Sequence, residues 1–421
     1  MKVLLLLVSL CLFTFNAYSE TRYISADYLV DVTNGKLIES PVVVVIDGKI
    51  GQVSRQDKIE IPADAQHLEL NGHTLVPGLM DMHVHLTSNA NLHGYKRLAS
   101  SVPRTALYGV TSAKATLMAG FTTVRNVGAP GYADVALRDA INDGDIIGPR
   151  MFVAGPSLGI TGGHCDNNLL PSEYKAKGQG VADGPWQVRA KVRENIKFGA
   201  DVIKFCATGG VLSKGTKVGA QQYSQEEMNA IVEEAKLRGL VTAAHAHGTD
   251  GIKAAIKAGV TSVEHASFLD KEAIKLAKKY GTYFSMDIYT TEYILGEGEK
   301  AGILQESLDK ERVVGARQRE SFTQAVKAGV KMVFGSDAGV YPHGDNPKQL
   351  SRMVRFGMTE MQALQAATIN PATMLKKSDE LGSIDVGKVA DIIAVKGNPL
   401  DDISVMEDVQ FIMKDGVIYK Q

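Results

Sequence analysis

The sequence is poor in cysteine and has no charge bias. Only Cys11, Cys165 and Cys206 occur among 421 residues. Three cysteines cannot staple a chain of this length, which excludes a disulfide scaffold. For Cys165 and Cys206 the reading is two separate buried thiols, with pairing left open because both fall near the motifs below. The formal net charge is -1, and there is no long acidic or basic run. Nucleic acid and anionic membranes are therefore not expected partners. Long apolar stretches are also missing. The one apolar run, Val3 to Phe15, is short for a membrane span. Lys2 precedes it and the small residues Ala17 and Ser19 follow, the pattern of a cleaved secretory signal over 1–19. Leu10 is bulkier than a lipoprotein site accepts before its cysteine. Export to a periplasm or the outside is expected, with no membrane association after cleavage. Finally, no glycine-rich phosphate fingerprint opens a helix after the first strand, which argues against a nucleotide-binding doubly wound sheet.

The two ends of the chain are strand-rich. "SPVVVVIDGKIGQVS" carries a β-branched run and an Asp47-Gly48 turn, and "DVQFIMKDGVIYK" repeats the form near the C-terminus. Segments 20–78 and 381–421 therefore read as two parts of one small β-sandwich domain around a large insert, 79–380. The insert alternates strands with amphipathic helices. "SQEEMNAIVEEAKLRGL" is one such helix, with Ser224 as cap, Glu227 three residues on and Gly239 at its end. Eight such units predict an α/β fold, a (β/α)8 TIM barrel.

Barrel enzymes place chemistry at the C-terminal ends of the strands. Here those ends carry His83 and His85 (first), Lys204 (fourth), His245 (fifth), His265 (sixth) and Asp337 (eighth). Residues two apart on a strand share a face, so His83 and His85 can serve one metal, and Lys204 shares a face with Cys206. Imidazole and carboxylate suit zinc and neighbouring divalent ions. A protonated lysine has no lone pair for a metal. Burial lowers its pKa, and the free amine can add carbon dioxide to become a carbamate, a carboxylate able to bridge two cations.

"GLMDMHVHL", "DVIKFCATGG", "AAHAHG", "VEHAS", "GSDAG" and "LGSIDVGKVADIIAV" together resemble the amidohydrolase superfamily over essentially the whole mature chain. Within it, "ITGGHCD", "GGVLSKG" and "GSDAGVYPHGDNPKQL" are similar to a secreted branch of zinc-dependent arginine carboxypeptidases and Xaa-Arg or Xaa-Pro dipeptidases. The resemblance implies a binuclear centre, usually zinc, with His83, His85 and Asp337 on one ion, His245 and His265 on the other, and N6-carboxylated Lys204 bridging them. His247 is read as a residue behind the ligands. The implied reaction is hydrolysis of a peptide amide bond, releasing a C-terminal amino acid from a small peptide or short N-acyl substrate. Asp337 would shuttle the proton, and His164 would stabilise the oxyanion or orient the substrate. Long loops, 159–186 and 209–223, would set specificity. In them Tyr223 is a candidate for the substrate α-carboxylate. Asp287 and Glu292, after strand seven, would favour a released Arg or Lys. A prolidase-like or cyclic-amide hydrolase on the same centre is the alternative. Oligomeric state is left open, a homo-oligomer included.

Overall fold

The structure, a computed structural model, describes residues 20–421; the signal segment falls outside the described residues. Strands β1 (Thr21–Asp31), β2 (Lys36–Glu39), β3 (Pro41–Ile46), β4 (Lys49–Arg55) and β5 (Gln66–Pro77) come from the N-terminal segment. The parallel strands of the centre are β6 (Leu79–Val84), β7 (Phe121–Asn126), β8 (Arg150–Val153), β9 (Val202–Cys206), β10 (Val241–Ala246), β11 (Ser262–His265), β12 (Tyr283–Ser285) and β13 (Met332–Val333). The C-terminal segment adds β14 (Ile392–Lys396), β15 (Val409–Lys414) and β16 (Val417–Lys420).

Both ends of the chain join one mixed eight-stranded sheet, in which β14 runs antiparallel to β5. No second sheet is assigned to that unit among the described residues, so the two facing layers expected of a sandwich are not observed. The two Asp-Gly turns explain part of the union. Asp47-Gly48 and Asp415-Gly416 have positive φ, as such hairpins require, and they pack on each other. A Cβ on Gly416 would lie 2.5 Å from Gly48 Cα, so the contact tolerates only glycine.

The central strands form two parallel arcs, β6-β7-β8 and β9 to β13. Beyond the strand ends, Leu158 bridges Phe205 and Val84 bridges Ala338. The arrangement accords with a (β/α)8 barrel. All eight sequence-predicted strands occur, the last two shortened. The run "TLVPGLMDMHV" divides at Gly78, where a side chain would meet Thr122 Oγ1 at 2.3 Å. The helix Gln225–Leu237 has the expected capping box between Ser224 and Glu227. None of the described helices is long and apolar enough to cross a membrane.

Apolar side chains fill the centre below the strand ends: Met80, Met82, Val202, Val241, Tyr283 and Val333 form one buried cluster. On β6 the inward positions are even up to Met82 and odd from His83. The pairing of β6 with β7 shifts register between Asp81 and Val84, and such a bulge re-aims the side chains that follow. Buried Asp81 braces it, accepting hydrogen bonds from the backbone N–H of His83 and Ser336 at 3.1 Å each.

Candidate metal centre and its cavity

At the C-terminal ends of the central strands lies a cavity of about 750 Å³, lined by His83, His85, His164, Lys204, His245, His247, His265 and Asp337. Six residues expected to converge do so. The Nε2 atoms of His83 and His85 each lie 3.4 Å from Asp337 Oδ1. Ligand-type atoms of His83, His265 and Asp337 fall within 4.8 Å of one another, as do those of His245, His247 and His265. His265 is thus shared by both groups. His247, read from sequence as standing behind the ligands, has its nitrogen among them.

The outer nitrogens of these rings are tethered, which turns the inner ones toward the cavity. His83 Nδ1 meets buried Glu264 at 2.9 Å, His85 Nδ1 the Gly128 carbonyl at 3.2 Å and His265 Nδ1 buried Asp287 at 2.8 Å. Carboxylates and carbonyls behind an imidazole fix its tautomer in metal sites. His247 Nδ1 lies 2.7 Å from Ser267 Oγ. His245 Nε2 is buried with no hydrogen-bond partner, the orphaned lone pair a cation would take up. Burial pushes His83, His245 and His247 well below the usual imidazole range and His85 to about 4. They are therefore neutral, as ligands must be. His265 differs: burial alone would lower it, but Asp287 and Asp337 together outweigh burial and raise it.

Lys204 is 4% exposed. Its amine makes neither a hydrogen bond nor an ion pair among the described residues, so the ordinary salt-bridge explanation fails. Burial lowers its ammonium to about 8, against the pull of Glu264 and Asp337. An unpaired amine amid imidazoles fits a group that is modified or metal-bound. Strain marks the same spot. His265 (φ 70) and Asp337 (φ 58) hold left-handed backbone, each costing about 1–3 kcal/mol, and such outliers gather at functional sites. Asp337 stands four residues past β13, anchored by its N–H to the His83 carbonyl at 2.7 Å.

His164 enters from the loop after β8. It stacks on His245 with ring centroids 4.0 Å apart and contacts Ser213 Oγ through Nδ1 at 2.8 Å. Gly210 permits this, since a Cβ there would lie 2.3 Å from the His164 ring. Burial depresses His164 to about 3, so it faces the cavity as a neutral imidazole.

Other expectations need correction. Cys165 and Cys206 are joined in a disulfide, Cα atoms 6.2 Å apart, not separate thiols. The reason is the Leu158–Phe205 bridge, which lays the loop against β9. Tyr223 does not line the cavity. It is fully buried, and its hydroxyl donates to the Ala182 carbonyl at 3.1 Å. Glu292 also lies off the cavity, paired with Arg352 at 2.7 Å. Asp287 does line the cavity, but His265 and Gln318 occupy its Oδ1 at 2.8 and 2.7 Å. It therefore serves as a support for His265 as well as a wall of the cavity.

Sequence reasoning missed the supports. Arg125 is fully buried and bonds Glu264 at 2.8 Å, Ser262 Oγ at 2.9 Å and the Met82 carbonyl at 2.6 Å. It also missed Arg97 and Arg104, which line the outer cavity and form no ion pairs among the described residues. The basic stretch "GYKRLASSVPRT", which follows β6 and runs into the helix Val102–Met118, was the available signal.

The amidohydrolase family model matches residues 74–420. Ochratoxinase of Aspergillus niger is 34% identical over 370 residues, covering 82% of this chain and 75% of that protein. Its crystal structure superposes with a TM-score of 0.87 at 31% identity, over 96% of each chain. A Xaa-Pro dipeptidase crystallised with methionine in its active site has a TM-score of 0.89 at 39% identity, over 95% of this chain and 100% of that one. A prolidase complexed with N-methylphosphonate-L-proline reaches 0.85 at 32% identity, over 95% and 100%. Family match, near full-length likeness and a histidine-rich cavity at the strand ends agree: the chain belongs to the amidohydrolase family.

Proposed function

We propose that this protein is a binuclear, zinc-dependent dipeptidase that hydrolyses the amide bond before a C-terminal amino acid. The observation that carries the reading is unpaired, buried Lys204 standing among inward-facing imidazoles. His83, His85 and Asp337 would hold one ion, His245 and His265 the other, and carboxylated Lys204 would bridge them, with His247 as a further nitrogen beside the second. When bound, such ions polarise the scissile carbonyl and lower the pKa of water. The chain supplies the rest. Asp337 takes a proton on its carboxylate and delivers it to the leaving nitrogen, which cannot depart as an anion. His164, a neutral ring against His245, orients the scissile carbonyl. Arg97 and Arg104 offer guanidinium groups to the substrate α-carboxylate, the role first given to Tyr223. Within the barrel reading of the scaffold, 79–380 is the catalytic unit.

Release of Arg or Lys was expected because of Asp287 and Glu292. Glu292 is paired with Arg352 off the cavity and Asp287 Oδ1 is taken by His265 and Gln318, so the proposal shifts to proline and uncharged residues such as methionine. The names of the prolidase and of the methionine-bound dipeptidase among the relatives support this. The cysteine pair supports an oxidising compartment, and export is part of the proposal. A panel of dipeptides ending in Pro, Met, Phe, Lys and Arg, assayed with zinc, tests the reading. Turnover of the uncharged members supports it; no turnover of any member refutes it.

Asp287 gives a sharper test. Its carboxylate orients His265, so Asp287→Asn should lower kcat/KM about 10- to 100-fold, equally for neutral and basic C-terminal residues. A loss confined to Lys and Arg substrates would restore Asp287 to a specificity pocket.

A further inference from the structure

Four carboxylates line the cavity: Asp166, Asp287, Glu311 and Asp337. Three are committed. Asp166 accepts backbone N–H bonds from Gly162, Asn167 and Gly178 at 2.8, 2.7 and 2.6 Å. Asp287 serves His265, and Asp337 faces His83 and His85. Glu311, on the helix Gln305–Lys327, has no such commitment. It is 4% exposed and forms no ion pair among the described residues. Its polar neighbours are the Thr291 hydroxyl and, on the same helix, the Arg319 guanidinium, both of which pull against the effect of burial. Burial raises the Glu311 carboxyl to about 7, with Asp287 adding to the rise. A buried carboxyl with no ion pair is costly.

Its position complements the arginines. Glu311 feels the charges of Asp287 and His265, whereas Arg97 acts on His164. The cavity lining therefore carries, among the described residues, an acid and guanidinium groups that form no ion pairs, together with the imidazole cluster. A dipeptide carries the same two charges, one on each side of its scissile amide.

We infer that Glu311 is the subsite for the free α-ammonium group of a dipeptide, which makes this site select dipeptides over N-acyl amino acids. The inference rests on the proposed amide hydrolysis and names its substrate class. An ammonium entering the cavity would meet Glu311 as a charge-assisted hydrogen-bond partner, and an acyl group lacking it would leave the carboxyl buried and unpaired.

Glycyl-methionine and N-acetylmethionine differ only by that ammonium. Wild-type protein should favour glycyl-methionine, and Glu311→Gln should shrink the ratio of the two kcat/KM values about 10- to 100-fold. Glycyl-lysine against glycyl-norleucine tests the other source of positive charge, a substrate side chain. If Glu311→Gln alters that ratio and not the first, the α-ammonium assignment is wrong. Calorimetric titration of metal-stripped wild type and Glu311→Gln with glycyl-methionine and N-acetylmethionine repeats the comparison without turnover. Discrimination in calorimetry with no hydrolysis of either compound would uphold the subsite while sinking the proposed reaction. Ratios within about twofold of wild type in folded Glu311→Gln, by both methods, would overturn the inference.

Discussion

Replacing Lys204 by alanine should reduce hydrolysis on the order of 10³-fold or more and strip the protein of bound metal. Lys204 lies on β9 in the lining of the cavity, buried, and its amine has no hydrogen-bond or ion-pair partner among the described residues. An amine kept there as a cation would repel the cationic centre it adjoins. As a carbamate it becomes the anionic bridge that two cations need, and its loss leaves imidazoles and one carboxylate to bear their charge. The carbamate account adds a check that a packing role would not pass. A small carboxylic acid such as formate or propionate can enter the space that alanine vacates and replace the missing oxygens. Part of the activity and metal content of Lys204→Ala should return with such an acid and not with an amine of the same size. Full activity in Lys204→Ala without added acid would remove the bridge from the account.

The second large effect is on stability. Arg125→Met should lower stability by about 3–5 kcal/mol, read from the denaturation midpoint. Burial alone would raise the Glu264 carboxyl, but the Arg125 guanidinium 2.8 Å away, with His83 and Lys204, outweighs it and holds it well below the usual range. Methionine keeps an unbranched apolar stem and removes the guanidinium, so Glu264 is left as a buried anion facing His83. The cost comes from that stranded charge, and the double variant Arg125→Met with Glu264→Gln should recover part of the loss. A double variant that loses the sum of both single effects would show that the pair acts only through packing. Arg125→Met should also weaken metal affinity, because Glu264 holds the His83 ring through Nδ1.

Much of this centre was legible in the sequence because its signals are local. HxH spacing on one strand, a lysine within an apolar strand and single histidines at strand ends follow from strand geometry. Asp-Gly turns and the Ser224 capping box were readable for the same reason. What was misread depends on distant partners. Glu292 looked like an available carboxylate because Arg352, sixty positions on, cannot be paired with it by pattern. Asp287 looked free because its hydrogen bonds go to residues 22 and 31 positions away. Tyr223 looked like a loop residue at a site mouth, yet the chain turns it inward to the Ala182 carbonyl. The bulge at Asp81 and the left-handed backbone of His265 and Asp337 leave no trace in composition, since non-glycine residues occupy them. Cys165 and Cys206 lie 41 positions apart, and only the Leu158–Phe205 bridge brings them together.

The central claim is that the imidazoles, Lys204 and Asp337 hold two cations on which hydrolysis depends. Elemental analysis of purified wild-type protein, taken through chelation and zinc replenishment with dipeptide turnover followed in parallel, tests it most directly. The account predicts two equivalents of divalent metal per chain, with metal and turnover lost together and regained together. Undiminished turnover by metal-free protein would contradict it.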